Sequence, residues 1–491
     1  MESIEQTFNG QADFGKKVQA TISRNGDLIH RMYLQATLPA VECPGSDCSD
    51  GMSGFNEKCF RWVNYVGHAL VKTVEVEIGG QRIDKHYGDW LNIWNELTQE
   101  PGHQVGYDNM VGNTIFLTGA AQRSTEATTL YIPFQFWFCR NPGLALPLIA
   151  LQYHEVRICL EFRNKEECYV ACNKASGCSV GECDICVGSL EYASLFVDYI
   201  YLDTDERRRF AQVSHEYLIE QLQFTGDEPA TNTNVKIKLN FNHPVKELIW
   251  VAQRADFCCS GVNQWNNYTD DYDNDCCEEG CDDCPTGCTV CGDSDCCLLN
   301  TNVDTAYGGR TAFPQGPKNF PNAGPDGAVC LSCYQRCDND ANGNPRSMPA
   351  GPGGDGCGPV NFGSINVGFG GGADHALYPL NAGRNPVVKA KLQLNGHDRF
   401  QERLGSYFNL VQPYQHHTNV PSTGINVYSF ALKPEEHQPS GTCNFSRIDN
   451  ACLQMQLTPK SVAKNANVRV YAVNYNVLRI MSGMGGLAYS N

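Results

Sequence analysis

The segment Val71-Lys-Thr-Val-Glu-Val-Glu-Ile-Gly-Gly80 alternates apolar with polar residues and ends in two glycines. Alternation of this period is typical of a strand with one buried face. A second segment, Val388-Lys-Ala-Lys-Leu-Gln-Leu-Asn-Gly396, has the same character far along the chain. The residues that follow match in the same order, with Arg82-Ile83, Gly88 and Trp90-Leu91-Asn92 in the first copy and Arg399-Phe400, Gly405 and Tyr407-Phe408-Asn409 in the second. The chain therefore carries an internal repeat.

Two further pairs of segments extend this repeat outward in both directions. Early in each copy, Leu28-Ile-His-Arg-Met-Tyr-Leu34 resembles Val245-Lys-Glu-Leu-Ile-Trp-Val251. Late in each copy, Leu195-Phe-Val-Asp-Tyr-Ile-Tyr-Leu202 resembles Tyr471-Ala-Val-Asn-Tyr-Asn-Val-Leu478. Because four correspondences occur in one order, we interpret the chain as two tandem copies of one β module.

The strand-like segments of each copy, about eight in number, are separated by long and unequal loops, which favours a jelly roll over a meander of tight hairpins. We predict an all-β chain of two tandem eight-stranded jelly rolls, with a long cysteine-rich loop insertion in the second. The one clear helix is expected over residues 87–97, where Trp90, Ile93, Trp94 and Leu97 share a face. The predicted boundaries are an N-terminal arm at 1–15, the first jelly roll at 16–205, the second at 206–485 with its insertion at 256–380, and a C-terminal tail at 486–491.

The composition argues against several classes of function. Of 491 residues, 42% are hydrophobic, and 37 basic residues against 54 acidic ones give a net charge of −17. This charge argues against a surface that binds nucleic acid directly. The first residues lack the pattern of a signal peptide, and no apolar run is long enough to span a membrane. We therefore expect a chain that is made in the cytosol and has no transmembrane segment.

The cysteines are concentrated in a few segments, and most lie in the insertion. Of 26 cysteines, fourteen fall between Cys258 and Cys357, and residues 256–309 hold twelve acidic side chains with no lysine or arginine. A polar loop with little apolar core needs disulfide bonds or a bound metal ion to stabilise its fold. Disulfides, a structural metal and free thiols all remain open, and no other cofactor is expected. The candidate disulfide or metal-binding residues are Cys258, Cys259, Cys276, Cys277, Cys281, Cys284, Cys288, Cys291, Cys296, Cys297, Cys330, Cys333, Cys337 and Cys357.

No enzyme motif stands out, so we do not expect an enzyme. The chain has no nucleophile elbow, phosphate-binding loop or zinc-protease helix. A cupin-like metal site is disfavoured because His416 and His417 are adjacent, and if they lay on a strand they would face opposite sides. Trp62 and Trp137 are expected in the core, like Trp90 and Trp94. The sequon Asn267-Tyr-Thr269 makes Asn267 a candidate glycosylation site.

Four stretches of the chain closely resemble the major capsid proteins of nucleocytoplasmic large DNA viruses, a group that includes phycodnaviruses, iridoviruses, mimivirus-like and marseillevirus-like viruses. The most specific stretch is Ile132-Pro-Phe-Gln-Phe-Trp-Phe-Cys-Arg-Asn-Pro-Gly-Leu-Ala-Leu-Pro147 and its continuation to Val156. The others are Ile78–Leu91, Phe430–Asp449 and Tyr471–Ile480. Together they cover both copies of the module.

This resemblance implies a double jelly roll and a structural role. Members of that family form homotrimers whose six barrels make a pseudo-hexagonal capsomer, and capsomers build an icosahedral shell. The expected partners are neighbouring capsomers, penton proteins and minor capsid proteins, and the expected location is the virion, after assembly in the host cytoplasm. The insertion is expected on the outer face of the capsomer. An alternative function is a surface-exposed binding module, in which the cysteine-rich loop attaches to a host surface or glycan.

The same stretches supply the residues that we expect to maintain the architecture. Glycines and prolines set turns that regular strands cannot make, and the charged and aromatic residues are expected to hold neighbouring elements together. These residues are Gly80, Asp84, Trp90, Trp94, Arg140, Asn141, Pro142 and Pro147 in the first module, and Pro434, Pro439, Ser440, Gly441, Asn444, Arg447 and Asp449 in the second.

Overall fold

Strands dominate the computed structural model of the chain, as the alternating patterns predict. The structure describes residues 1–42, 58–118, 124–173, 187–258, 263–270 and 385–489. In the first half the strands are β1 (Glu2–Gln6), β2 (Lys17–Thr21), β3 (Leu28–Leu38), β4 (Val41–Glu42), β5 (Lys58–Trp62), β6 (Val71–Ile78), β7 (Gln81–Tyr87), β8 (Ser124–Thr125), β9 (Thr128–Pro133), β10 (Leu146–Pro147), β11 (Val156–Phe162), β12 (Tyr169–Asn173) and β13 (Tyr192–Ile200). In the second half they are β14 (His215–Pro229), β15 (Asn234–Lys238), β16 (Pro244–Gln253), β17 (Val387–Leu394), β18 (His397–Asp398), β19 (Arg403–Leu404), β20 (Asn426–Ser429), β21 (Cys443–Asn444), β22 (Ala451–Leu457), β23 (Asn467–Met481) and β24 (Met484–Leu487).

The helices are short and lie between strands. The α-helices are α1 (Val66–Leu70), α2 (Gly88–Thr98), α3 (Gln104–Val111), α4 (Ile115–Thr118), α5 (Trp137–Arg140), α6 (Thr204–Gln212), α7 (Gln412–His416) and α8 (Pro459–Ala463). Within the described ranges, six single turns are 3₁₀-helical, namely Pro101–His103, Pro142–Leu144, Leu148–Ala150, Lys165–Glu167, Ala255–Cys258 and Phe445–Arg447, and Tyr407–Val411 is π-helical. Helix α2 covers the segment in which the sequence predicts a helix, so that prediction is confirmed.

The two halves of the chain have the same sheet topology. In the first half, one antiparallel sheet has the order β1-β13-β3-β10 with β9 also on β3, and the other has the order β2-β11-β6-β7. In the second half the corresponding orders are β14-β23-β16-β20 with β21 also on β16, and β15-β22-β17-β18 with β19 also on β17. Each strand of the two sheets in the first half has a counterpart in the second half, with β9 corresponding to β20 and β10 to β21. The short ribbons β12-β5 and β4-β8 are additions to the first half.

Two glycines show which residues of the two halves occupy equivalent positions. A Cβ on Gly88 would overlap the carbonyl oxygen of Val71, and a Cβ on Gly405 would overlap the carbonyl oxygen of Val387. Each glycine therefore allows the helical segment after the hairpin to cross the first residue of the preceding strand at close range. The equivalence of Gly88 and Gly405, which the sequence predicts, is thus supported by the packing.

The sequence correspondence in the central strands is shifted by one residue relative to the structure. Tyr33 lies opposite Phe196 with both side chains on the outer face, and the equivalent outer pair in the second module is Ile249 opposite Tyr471. The sequence alone paired Leu195 with Tyr471. A shift of one residue exchanges the two faces of a strand, and similarity between short apolar segments does not distinguish the two registers.

The β6–β7 and β17–β18 turns also match. Both central residues of each turn have positive φ, at 59° and 82° for Gly79 and Gly80 and at 51° and 82° for Asn395 and Gly396. Two such residues define the type I′ turn, whose twist suits a two-residue hairpin. Gly80 is therefore the second central residue of a type I′ turn.

Replacing Gly80 with alanine is expected to lower the free energy of unfolding by about 1–2 kcal/mol, because a Cβ is disfavoured in the left-handed region. No neighbouring atom lies within 4 Å of the added carbon, so backbone strain is the whole effect. Gly396→Ala should cost as much, since it occupies the same turn in the second module. The control is Gly102→Ala, where there is equal space but no positive φ. Urea unfolding measures all three, and equal stabilities for the Gly80 and Gly102 variants would contradict this account.

Each module has its own apolar core between its two sheets. The first core includes Trp62, Trp137 and the inward side chains of β3, and the second includes Trp250 and Phe408. The segment expected as an N-terminal arm contains an edge strand, since β1 pairs with β13. Near the other end, β24 pairs with β23 up to Leu487. Both chain ends therefore contribute strands to the sheets of the modules.

Candidate assembly interface

Helix α2 of the first module presents its apolar face to the second module. Trp90, Ile93, Trp94 and Leu97 are all buried, as the helical spacing predicts. They belong to a separate apolar cluster that we call the module junction. Its members from the second module are Ile249, Val251, Tyr268, Ile425, Val427, Tyr471 and Val473. The junction is therefore a third core, formed between the modules.

The receiving surface is the outer face of the sheet β14-β23-β16-β20. Strand β16 is buried on both faces, because Leu248 and Trp250 point into the second core while Ile249 and Val251 point into the junction. The rings of Trp90 and Tyr471 lie 5.5 Å apart. Burial of this much apolar and aromatic surface holds the modules in a fixed relation.

A buried group of three charges lies beside the apolar contact. The Glu220 carboxylate accepts from Arg140 at 2.8 Å and is 2.7 Å from the Lys246 ammonium. Arg140 also stacks over the Trp94 ring, with 4.3 Å from the guanidinium carbon to the ring centroid. Burial lowers the pKa of Lys246, and the charges of Glu220 and its neighbour Glu247 offset part of that shift. These charges link α5 of the first module to β14 and β16 of the second.

Further polar contacts cross the junction on its other sides. Arg469 on β23 donates to Asp89 on α2 at 2.6 Å and also pairs with Asp227. Asp84 accepts from the backbone nitrogen of Leu222 at 3.0 Å. Because these partners come from both modules, they fix the orientation of the apolar contact as well as adding to it.

A buried histidine forms a second charged group close to the first. His417 Nε2 lies 2.8 Å from Glu247, and its Nδ1 lies 2.9 Å from Glu435. Burial alone would lower the pKa of His417, but the two carboxylates outweigh that effect and raise the pKa to about 9. His417 is therefore protonated at neutral pH and compensates the buried Glu247 charge.

The stability of the chain is expected to fall as the pH rises from about 6.5 to about 9. The folded pKa of His417 is raised above its unfolded value, so its contribution is fully present below pH 6.5 and is lost as the pH passes the folded pKa. The loss should be about 3 kcal/mol, the value of a shift of this size. Urea unfolding at pH 6 and pH 9.5 measures it, with His417→Gln as the control for other titrating groups. An equal pH dependence in the variant would contradict the assignment.

A cavity of about 340 Å³ lies next to the two charged groups. Its lining combines residues of α5 and the turn after it with residues of the second module, namely Trp137, Arg140, Asn141, Pro142, Leu144, Glu220, Glu435 and His437. The Asn141 side chain accepts from Gly143 at 2.8 Å and so caps the 3₁₀ turn at the cavity edge. In the part of the chain that the structure describes, no cluster of three metal-ligating side chains occurs.

The predicted architectural residues fall into two groups. The structure brings Asp84, Trp90, Trp94 and Arg140 to the module junction, with Asn141 and Pro142 beside them. Pro147 lies at the end of β10 on the edge of the first module.

The second group lies in the loop between β20 and β22. The Pro434 carbonyl accepts from Lys246 at 2.5 Å, and Ser440 accepts from the Lys433 nitrogen at 3.0 Å. Gly441 has φ of 148° and packs against the Phe430 carbonyl. Asn444 caps the following 3₁₀ turn by accepting from Ser446 at 3.1 Å. Pro439, Arg447 and Asp449 are exposed in this loop.

The start of the insertion packs against the body of the protein. Tyr268 is fully buried in the junction, and Trp265 donates to the Glu167 carbonyl at 2.8 Å. Asn267 is buried and its side-chain nitrogen donates to Gln264 at 2.8 Å. A glycan would need that nitrogen in solvent, so its burial argues against the modification that the sequon suggests. Of the candidate cysteines, only Cys258 lies within the described residues, at the end of a 3₁₀ turn.

Sequence reasoning missed the charged residues of the junction, namely Glu220, Lys246, Glu247, His417 and Arg469. A charged residue in a strand normally indicates an exposed face, and nothing local in the sequence distinguishes these positions. Among the described helices, none is long and apolar enough to cross a membrane.

Both halves of the chain match known families. Residues 206–486 match the model of the family described as large eukaryotic DNA virus major capsid protein, and residues 1–203 match that of the major capsid protein N-terminus. The chain is 50% identical to the major capsid protein of Phaeocystis pouchetii virus, over all of this chain and 93% of that protein. It is 36% identical to the major capsid protein of Paramecium bursaria Chlorella virus 1, over all of this chain and 91% of that protein.

Solved structures agree with these matches. A quasi-atomic model of the PBCV-1 virus capsid superposes with a TM-score of 0.63 at 34% identity, covering all of this chain and 96% of that one. The Faustovirus major capsid protein has a TM-score of 0.64 at 12% identity, over 98% of this chain and 90% of that one, which shows the shared fold. The chain belongs to the family of large eukaryotic DNA virus major capsid proteins and is a component of the viral capsid.

Proposed function

We propose that the chain trimerises into pseudo-hexagonal capsomers that assemble into the icosahedral shell of a large double-stranded DNA virus. The observation that carries this proposal is the repeated sheet topology, with two equivalent modules locked together by the junction. Three such chains would place six similar modules around one axis, which fits a hexagonal lattice. Closed symmetric association through complementary surfaces is the usual way in which identical chains form a finite ring.

Each module is proposed to be an eight-stranded jelly roll. In the first module the eight strands would be β1, β2, β3, β6, β7, β9, β11 and β13, arranged four to a sheet and counting the short β10 with β9. The second module repeats them, with β18 and β19 together in place of β7. The first proposed module is 16–205 together with β1, which comes from the segment expected as an arm, and the second is 206–485 together with the end of β24. Neighbouring capsomers, penton proteins and minor capsid proteins are the proposed partners, and assembly would occur in the host cytoplasm.

Native mass spectrometry of the purified chain tests this proposal. The expected result is a particle of three copies of the 54.2 kDa chain. A monomer at micromolar concentration would contradict the capsomer proposal, as would a metal-loaded species with enzymatic turnover. Negative-stain images should also show a particle with pseudo-sixfold outline, because the two modules of each chain are alike.

The acidic, cysteine-rich part of the insertion is proposed to project from the outer face of the capsomer. The composition supports this, because a long polar segment without regular strands cannot be buried without leaving backbone polar groups unpaired. Replacing 271–384 by a short Gly-Ser linker should therefore leave the trimer intact, as native mass spectrometry would record. Loss of the trimer in this variant would mean that the loop holds neighbouring chains together and does not simply project from the capsomer.

A further inference from the structure

An apolar face on the second module is exposed although its counterpart in the first module is buried. Residues 405–416 form one helical segment, π-helical at Tyr407–Val411 and α-helical at Gln412–His416. Leu410, Val411 and Tyr414 are 50%, 40% and 81% exposed. We call these three residues the exposed helix face. Large apolar side chains grouped in this way are typical of a surface that another molecule covers.

The counterpart of the exposed helix face is the part of α2 that forms the module junction. Gly88 and Gly405 occupy the same place against the preceding strand, which fixes the equivalence of the two segments. Counting on from these glycines, Leu410, Val411 and Tyr414 take the positions of Ile93, Trp94 and Leu97. The first set is exposed and the second is buried against the outer sheet of the other module.

The first module has a matching receiving surface. Among the described residues, no helix of the second module packs on that surface in the way that α2 packs on the outer sheet of the second module. Tyr33 lies opposite Phe196 and Pro133 on the outer face, as Ile249 lies opposite Tyr471 and Val427 in the junction.

Aromatic side chains dominate this outer face of the first module. The rings of Tyr33 and Phe196 stack with centroids 5.3 Å apart. Tyr131, whose ring centroid is 6.0 Å from that of Tyr33, is 40% exposed. We call Tyr33, Tyr131 and Phe196 the aromatic sheet face.

We propose that the exposed helix face of one chain docks on the aromatic sheet face of a second copy, which repeats between chains the junction that exists within each chain. The contact is heterologous, because each chain contributes a different surface to each of its two neighbours. This interface deepens the proposed trimer and rests on it. The junction inside the chain is the direct precedent, since both of its surfaces recur in the chain and no other described segment covers them.

The contact between chains is more polar than the junction within a chain. Glu5 lies opposite Phe196 at the position where Phe224 lies opposite Tyr471, and it accepts from Ser194 at 2.7 Å. Val411 replaces the larger Trp94. A more polar contact is typical of an interface between separately folded chains, whereas the junction within the chain is composed as a core.

Two variants remove the two surfaces separately. Leu410→Asp with Tyr414→Asp disrupts the exposed helix face, and Tyr33→Ser with Tyr131→Asp disrupts the aromatic sheet face. Each variant should shift the wild-type trimer to monomer, with the trimer dissociation constant raised at least about tenfold, as expected for residues at the centre of an interface. Circular dichroism and the thermal midpoint check folding, and Tyr153→Glu, which changes another exposed aromatic residue, is the control that should remain trimeric.

Mixing the two variants distinguishes this interface from others. The helix variant keeps its sheet face and the sheet variant keeps its helix face, so an equimolar mixture should form one-to-one dimers that cannot close a ring. Native mass spectrometry with one variant isotope-labelled reads out this composition. Folded variants that remain trimeric, or a mixture that stays monomeric, would overturn the proposed interface. A monomeric wild-type chain would instead overturn the proposed trimer itself, so the two failures are distinguishable.

Discussion

Replacing Trp90 with alanine is expected to lower the free energy of unfolding by about 3–5 kcal/mol, the usual cost of removing a large buried aromatic side chain. Trp90 is 1% exposed and lies at the centre of the module junction. Its ring is 5.5 Å from those of Trp94 and Tyr471, so the variant leaves a cavity between the modules. Urea unfolding followed by tryptophan fluorescence and by circular dichroism measures the change.

A second variant, Trp90→Phe, shows how the cost depends on the amount of buried surface that is removed. Trp90→Phe keeps most of the buried surface and should cost clearly less than the alanine variant. Because the junction holds the modules in register, Trp90→Ala should also increase proteolytic cleavage near α6, which joins them. Loss of less than about 1 kcal/mol in Trp90→Ala would mean that the modules are held by other contacts.

Replacing Glu220 with alanine is expected to cost about 3–5 kcal/mol, because it leaves two buried cations without their shared partner. Arg140 and Lys246 lie 2.8 Å and 2.7 Å from the Glu220 carboxylate, and the Lys246 side chain is fully buried. Removing this negative charge leaves the desolvation cost of both cations largely uncompensated, since only Glu247 still offsets part of it at Lys246. Thermal and urea unfolding at pH 7 measure the effect.

The same strand supplies a matched control. Glu216 also accepts from an arginine, Arg479 at 2.8 Å, but both of these side chains are at least half exposed. Glu216→Ala should therefore cost no more than about 1 kcal/mol. Glu220→Gln keeps the shape without the charge and should fall between the two alanine variants. Equal losses for the two alanine variants would show that the buried charges do not stabilise the junction.

Much of the fold could be predicted from the sequence because each strand predicted in the first copy of the repeat can be compared with its counterpart in the second. The alternation at 71–78 predicts a strand, and its recurrence after residue 387 predicts the same strand again. The pair Gly88 and Gly405 was identifiable because only glycine fits where a helical segment crosses a strand at close range. The face of α2 was identifiable from its spacing, since Trp90, Ile93, Trp94 and Leu97 recur at helical intervals.

The partner of that helix face could not be predicted in the same way. The junction forms between residues more than 150 positions apart, and its receiving strand β16 has no alternation because both of its faces are buried. Lys246 and Glu247 are adjacent on this strand and both fully buried. Each is compensated by a residue distant in sequence, Glu220 for Lys246 and His417 for Glu247. No local pattern indicates such pairs.

An electron cryomicroscopy reconstruction of the assembled particle tests the central claim most directly. We predict six similar modules around each axis, with Leu410, Val411 and Tyr414 of every chain buried against Tyr33, Tyr131 and Phe196 of the next. The contact between chains should superpose on the junction within each chain. A particle in which Tyr414 faces solvent, or in which like surfaces meet across a twofold axis, would contradict the account.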